Sequence, residues 1–169
     1  MRYFAYGSNM CFSRMKLRVP SAATMAVGRL KGHVLKFHMK STKDDSGKCD
    51  AYENANPDDH IWGVIYEIDP IHRKSLDKSE AVGVCYAPKD VEILTPAGPP
   101  VSAFTYIALD DAIDPGAVPY EWYKLFVLEG AIQNGLPRYY IDSIAAVPAV
   151  SDPDSKRERK KRLIALGHM

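Results

Sequence analysis

Short apolar runs separated by turn residues fill the first two thirds of the chain, and this pattern predicts β-strands. The predicted strands cover residues 2–6, two stretches within 26–39 broken at Lys31-Gly32, 61–68, 82–87, 91–95 and 101–109. The last two are joined by the segment 96–100, whose prolines and glycine predict a turn. Residues 41–60 are mostly polar and predict a loop with one short strand around Ala51 and Tyr52.

Longer apolar stretches in the last third predict helices. Residues 121–133 suit a largely buried helix that ends at Asn134-Gly135, and a proline opens a second helix over 137–147. Strands followed by helices predict an α+β fold with a strongly curved, barrel-like sheet. We expect one domain over residues 1–150 and a charged C-terminal helix or tail over 151–169.

A short helix is predicted to begin at Asp69-Pro70 and to end near Glu80, with Asp77 and Glu80 on one face. Three roles fit these acids: a metal-binding pair, one acid that faces a pocket, or two solvated surface residues. Glu80 lies at the junction with a predicted strand and is followed by the apolar pair Ala81-Val82. We therefore expect its carboxyl to lie against low-dielectric surroundings, where a carboxyl can carry protons.

The first predicted strand stops at Tyr6-Gly7-Ser8-Asn9-Met10, whose small residues favour a tight loop. Such a loop can turn several N–H groups toward one point and bind a carboxylate or an oxyanion. Ser8 has no G-x-S-x-G context and no His or Asp partner placed by a motif. We expect it to contact a substrate or to support the loop rather than to act as a nucleophile.

Charge and composition exclude several functional classes. The 22 basic and 21 acidic residues give a net charge of +1, which favours neither a nucleic-acid nor a membrane partner. Neither a signal peptide nor an apolar run of about 20 residues is visible, and three cysteines without CxxC spacing favour a cytoplasmic protein. The five histidines lack metal-ligand spacing, so we expect neither a metal nor another cofactor.

Ten tyrosines are many for 169 residues. Tyr6, Tyr86, Tyr106 and Tyr123 fall in or beside predicted core elements. Each alone is explained as a core residue whose hydroxyl finds a partner, but together they could line one polar pocket. The basic run over 156–162 lacks interleaved aromatic residues, which favours a solvated helix or tail over a nucleic-acid contact.

Several motifs occur in an order typical of a known family. They are Tyr3-Phe4-Ala5-Tyr6-Gly7-Ser8-Asn9-Met10, Arg18-Val19-Pro20-Ser21-Ala22, Trp62-Gly63-Val64-Ile65-Tyr66, Leu76-Asp77-Lys78-Ser79-Glu80, Tyr86, Tyr123-Lys124-Leu125, Gly130-Ala131 and Asn134-Gly135-Leu136-Pro137. Over about residues 2–147 the chain strongly resembles the γ-glutamylcyclotransferase family, with its γ-glutamylamine cyclotransferase and avirulence-induced-gene-like relatives.

The resemblance implies a small, curved, mixed β-barrel with flanking helices, and release of 5-oxoproline from γ-glutamyl compounds. This is lyase or acyltransferase chemistry of cytoplasmic glutathione metabolism, and it implies a small-molecule γ-glutamyl substrate, no cofactor and a homodimer. Glu80 is implied as the catalytic general acid/base in the barrel mouth. The implied substrate-binding residues are Tyr6, Gly7, Ser8, Asn9, Met10, Tyr86, Tyr106 and Tyr123.

Three departures from the family pattern keep other functions open. Ala81 stands where the family commonly has glycine, and a positive φ there would strain an alanine. The segment from Glu80 to Tyr86 looks one residue shorter than in the animal enzymes, and residues 49–54 replace a more usual apolar strand. The alternatives are a γ-glutamylamine cyclotransferase, an enzyme that removes a γ-glutamyl protecting group, and a non-catalytic ligand-binding or interaction protein.

Overall fold

The described part of the chain combines seven strands with five helices, so the predicted α+β class is confirmed. The computed structural model describes residues 1–54, 56–96 and 98–168. The strands are β1 (Arg2–Ala5), β2 (Ala23–Lys31), β3 (His33–Lys40), β4 (Gly47–Glu53), β5 (His60–Glu67), β6 (Tyr86–Ile93) and β7 (Val101–Ala108). The helices are α1 (Phe12–Arg18), α2 (Arg73–Ser79), α3 (Glu121–Gln133), α4 (Arg138–Ala145) and α5 (Ser155–Ala165). None of these described helices has both the length and the apolar character needed to cross a bilayer.

Five strands form one sheet in the order β2-β5-β1-β7-β6, and only the β1–β7 pair is parallel. The sheet curls until its edge strands meet at one bridge, where Arg29 and Leu94 exchange backbone hydrogen bonds of 2.9 and 3.0 Å. A closed barrel requires a continuous ladder between its first and last strands. No such ladder joins these two edges within the described ranges, so the predicted barrel is not confirmed.

β3 and β4 pair antiparallel in a separate two-stranded sheet. The short strand predicted around Ala51 and Tyr52 is present, but it extends over Gly47–Glu53, so the loop predicted for the rest of that range is wrong. Lys48 and Asp50 are buried in this strand, and Asp50 has partners that are distant in sequence. Asp50 accepts a hydrogen bond from the Ala108 N–H at 2.8 Å, and its other oxygen lies 2.9 Å from Nε2 of His38. Because these partners are distant in sequence, the local pattern did not indicate that a polar residue could lie in a buried strand.

The segment after α2 also differs from its prediction. Val82 makes an isolated bridge to Tyr86, and residues 83–85 form turns rather than the start of a strand. The two predicted strands over 82–87 and 91–95 are one strand, β6, which begins at Tyr86. Ala81 has a φ of +50° and Gly83 a φ of +83°, which redirects the chain directly after Glu80. The turn predicted over 96–100 includes Ala97, which lies outside the described residues.

The buried helix predicted over 121–133 is confirmed as α3, and it packs on the loop that follows β1. Phe126 and Val127 are fully buried on this helix. Gly130 allows the close approach, since a Cβ at this position would lie 2.5 Å from the backbone N of Cys11. Helix α3 thus supports the predicted substrate-binding loop from behind.

The charged C-terminal segment forms a helix, α5, that packs against α3 and α1. Arg157 makes two hydrogen bonds of 2.6 Å to Asp152, a buried acid that also accepts from Nε1 of Trp122 at 2.7 Å. The Ser13 hydroxyl on α1 donates to the Ile164 carbonyl at 2.6 Å. The predicted solvated helix is therefore wrong for the face of α5 that meets the rest of the protein.

Candidate active site

The tight loop after β1 forms one wall of the candidate site. Ser8–Met10 form a single 3-10 turn, closed by a hydrogen bond of 2.9 Å from the Met10 N–H to the Gly7 carbonyl. Gly7 has a φ of −117°, so a positive φ is not what requires glycine here. The requirement is space, because a Cβ on Gly7 would lie 2.9 Å from the Cβ of Cys49. The N–H groups at the start of such a turn have no partner within the turn itself.

Glu80 directly follows helix α2, and its carboxylate reaches this loop. Its Oε1 accepts a hydrogen bond from Nδ2 of Asn9 at 3.0 Å and from the guanidinium of Arg18 at 2.5 Å. The side chain is only 15% exposed. No residue in the described part of the chain donates to Oε2. The protein therefore holds one carboxylate oxygen by two hydrogen bonds and leaves the other without a donor among the described residues.

Asn9 joins the acid to an arginine and a tyrosine. Its Oδ1 accepts from Nη1 of Arg18 at 2.9 Å, and its Nδ2 donates to the hydroxyl of Tyr3 at 2.9 Å as well as to Glu80. Both ends of the amide are thus engaged, which fixes the orientation of the buried side chain. Burial raises the pKa of the Tyr3 hydroxyl, so this partner stays neutral.

Three of the predicted tyrosines make hydrogen bonds to backbone atoms around the site. The Tyr86 hydroxyl donates to the Cys49 carbonyl at 2.6 Å, and the Cys49 N–H donates to the Tyr123 hydroxyl at 3.0 Å. The Tyr6 hydroxyl donates to the Tyr106 carbonyl at 2.5 Å. Burial raises the pKa of all three hydroxyls well above the ordinary value. These three hydroxyls are therefore protonated at neutral pH.

Tyr106 directs its hydroxyl at a different acid from the other tyrosines. It donates to Oδ1 of Asp77 at 2.5 Å, and Nε of Arg73 donates to the same oxygen at 2.8 Å. Burial and the neighbouring Asp77 raise the pKa of this hydroxyl. Asp77 and Glu80 therefore have separate partners. Nowhere in the described ranges do three or more His, Cys, Asp or Glu side chains form a group able to hold a metal ion.

A small recess lies between the loop, Glu80 and the tyrosines. Its volume is about 30 Å³, close to the space that one water molecule occupies in the liquid. It is lined by Tyr3, Tyr6, Gly7, Ser8, Asn9, Cys49, Glu80, Tyr86, Tyr106 and Tyr123. Met10 is the one predicted site residue outside this lining. It is fully buried, and its carbonyl accepts from the Tyr66 hydroxyl at 3.0 Å, so it supports the loop from beneath.

A larger cavity of about 220 Å³ adjoins the recess. The two share Ser8, Glu80, Tyr86 and Tyr123 as common walls. Basic side chains from four segments form much of the remaining wall; they are Arg14, Arg18, Lys43, Lys48, Arg157 and Lys161. The last two belong to α5, so the C-terminal helix takes part in the site.

Sequence reasoning did not assign Arg18 or Cys49 to the site. Arg14 and Arg18 are four residues apart on the helix that directly follows the loop, and this spacing places them on one face. That spacing was the sequence signal by which Arg18 could have been assigned to the site. Cys49 left no signal, because its place in the recess depends on strand β4. Burial raises the pKa of the Cys49 thiol to about 12, so it is protonated and unreactive at neutral pH.

A family model, two related sequences and a solved structure each match most or half of this chain. The AIG2-like family has a model that matches residues 60–144. The γ-glutamylcyclotransferase of Homo sapiens is 32% identical over 150 residues, which cover 86% of this chain and 77% of that protein. The enzyme of the same name from Bos taurus is 34% identical over 143 residues, covering 82% and 73% respectively. A solved structure of a γ-glutamyl cyclotransferase superposes with a TM-score of 0.80 at 29% identity, covering 94% of this chain and 98% of that one.

Proposed function

The chain belongs to the γ-glutamylcyclotransferase family and is an enzyme of that type, and from this we propose that it converts γ-glutamyl amino acids or amines into 5-oxoproline and a free amine. The α-amine of the substrate attacks the carbonyl carbon of its own γ-amide. A carbon–nitrogen bond forms and closes a five-membered ring, the amide carbon–nitrogen bond breaks, and the departing amine gains a proton. The substrate brings its own nucleophile, so the protein has to fold the chain and move a proton.

The carboxylate of Glu80 is the observation that carries this proposal. Asn9 and Arg18 hold its Oε1, while Oε2 has no donor within the described part of the protein. In the proposed reaction Oε2 takes a proton from the α-ammonium and returns it to the departing amine. A proton transfer by a positioned group typically contributes about 10²–10⁴-fold in rate.

The loop after β1 is proposed to bind an anion of the substrate. The N–H groups of Ser8 and Asn9 precede the first hydrogen bond of the 3-10 turn, and both residues line the recess. They would hold either the α-carboxylate or the oxyanion that develops on the amide carbonyl. Loss of one donor to an oxyanion costs about 3–4 kcal/mol in other enzymes.

The substrate must extend beyond the recess. A volume of about 30 Å³ is too small for a γ-glutamyl group, whereas Glu80 also lines the adjoining cavity of about 220 Å³. We therefore place the amide carbonyl near Glu80 at the junction of the two spaces. In this arrangement Tyr86 and Tyr123 each line both the recess and the larger cavity.

A substrate panel tests this function. Purified protein is incubated with γ-glutamyl amino acids, γ-glutamyl amines and glutathione, and both 5-oxoproline and the released amine are measured. We expect equal amounts of the two products from at least one compound. The matched control is the same compound acetylated on its α-amine, which cannot cyclise and should give neither product. Binding without turnover across the whole panel would support the non-catalytic alternative.

A further inference from the structure

The larger cavity beside Glu80 holds more positive charge than the protein neutralises. Three of its six basic side chains have an acidic partner. Arg18 pairs with Glu80 at 2.5 Å, Lys48 with Asp44 at 2.8 Å, and Arg157 with a buried aspartate. The other three are Arg14, Lys43 and Lys161, and no carboxylate of the described residues forms an ion pair with any of them.

Arg14 is the most informative of these three. Its Nε is buried and has no hydrogen-bond partner among the residues described. Its guanidinium carbon lies 4.5 Å from the centre of the Phe126 ring, which holds the group in place against an apolar surface. A partly buried guanidinium whose buried Nε has no partner is costly to a folded protein. A ligand anion in the cavity would remove that cost.

Lys161, on α5, likewise has no acidic partner among the described residues. Burial, together with the positive charges of Arg14 and Arg18, lowers the pKa of Lys161 from 10.5 to about 8. Its neighbour Lys160 is exposed and does not line the cavity. On α5, the uncompensated charge therefore lies on the cavity-facing side.

We infer that this cavity binds the leaving group of the reaction and favours an amine that carries two acidic groups. This inference rests on the proposed function. The γ-glutamyl end of a substrate has one ammonium and one carboxylate, so its net charge is zero and leaves the half-buried Arg14 and Lys161 without an anion, whereas the exposed Lys43 is solvated. An ordinary amino acid as leaving group adds one carboxylate. A second carboxylate, or a phosphate ester on the side chain, supplies the further negative charge that Arg14, Lys43 and Lys161 can bind.

Binding tests the cavity separately from catalysis. N-glutaryl aspartate keeps the terminal carboxylate and the amide of a γ-glutamyl substrate but lacks the α-amine, so it cannot cyclise. Its counterpart is N-glutaryl asparagine, which has nearly the same shape but one carboxylate fewer. We expect calorimetry to give a dissociation constant at least about tenfold lower for the aspartate compound, the effect of one charge-assisted contact. Equal constants would overturn the inference.

Turnover provides the second comparison, with matched pairs of substrates. We expect kcat/KM at least about tenfold higher for γ-glutamyl aspartate than for γ-glutamyl asparagine, or for γ-glutamyl phosphoserine than for γ-glutamyl serine. The pair with the larger ratio identifies the second acid as a carboxylate or a phosphate. A ratio near one in both pairs would contradict the inference.

Two variants locate the effect on α5. In Lys161→Gln, the larger of the two kcat/KM ratios should fall to within about threefold of one. Lys160→Gln removes the same charge from the exposed side of the helix, and the ratio should be as high as in wild type. Arg14→Gln should act like Lys161→Gln if it folds. Loss of the preference in both lysine variants would mean that long-range charge, not the cavity, is responsible. If no γ-glutamyl compound gives 5-oxoproline, the proposed function fails, while the glutaryl pair still decides what the cavity binds.

Discussion

Arg18 and Glu80 are 62 residues apart in sequence and meet in a hydrogen bond of 2.5 Å. The same guanidinium nitrogen also donates to Oδ1 of Asn9, whose Nδ2 in turn donates to Glu80. One nitrogen of α1 therefore helps to hold both the acid and the loop that forms the recess. Groups fixed before the substrate arrives need little reorganisation during the reaction.

Replacement of Arg18 tests this positioning role. Both of its hydrogen bonds come from one nitrogen, so Arg18→Lys can keep them in part, whereas Arg18→Met keeps neither. We expect kcat to fall by about 10–100-fold in Arg18→Met and by less than about tenfold in Arg18→Lys. Arg138→Met, at a highly exposed position on α4, is the control and should retain full activity. Equal losses in the methionine and lysine variants would contradict a role based on that nitrogen.

Ala81 has the left-handed backbone conformation that glycine adopts more easily than alanine. Its φ of +50° costs an alanine about 1 kcal/mol, part of which Ala81→Gly would recover. We expect this variant to raise the free energy of unfolding by roughly 0.5–1 kcal/mol. Ala146→Gly, at a φ of −72°, should lower it instead. Denaturant unfolding measures both, and equal destabilisation by the two substitutions would show that Ala81 is not strained.

The Cys49 thiol should make the protein sensitive to alkali. Burial raises its pKa from 9.0 to about 12, so the folded state holds the proton more tightly than the unfolded state. This stabilisation is complete below pH 9 and decreases between pH 9 and 12, as the unfolded thiol ionises first. From pH 8 to 10 we expect wild type to lose roughly 1–2 kcal/mol more than Cys49→Ser. Identical losses would show that the thiol does not contribute.

Local patterns were sufficient to predict most of the fold. The β-branched and aromatic residues of 61–68 and the apolar residues of 121–133 each give a strong local signal, and both elements are present. Strand β4 was predicted only around Ala51 and Tyr52, and its first half was missed because Lys48 and Asp50 are polar. Lys48 pairs with the nearby Asp44, but Asp50 is buried because it accepts from the distant Ala108 N–H, and no local pattern contains that information.

The part of the site that lies within recognisable sequence motifs was predictable. The loop over 6–10 and Glu80 could be chosen from sequence, and the structure brings them together. Arg18 and the cavity-facing side of α5 could not, because their roles depend on contacts between distant segments. The catalytic and binding roles, the homodimer and the cytoplasmic location stay predictions.

Substitution of Glu80 by glutamine tests the central claim most directly. Glu80→Gln keeps the shape and an oxygen for Asn9 and Arg18, but it cannot accept and return a proton. Glu67→Gln, at an exposed end of β5, is the matched control. With folding checked by thermal unfolding, we expect 5-oxoproline release to fall by at least about a hundredfold in Glu80→Gln and to be unchanged in Glu67→Gln. Near-normal release by a folded Glu80→Gln would contradict the account.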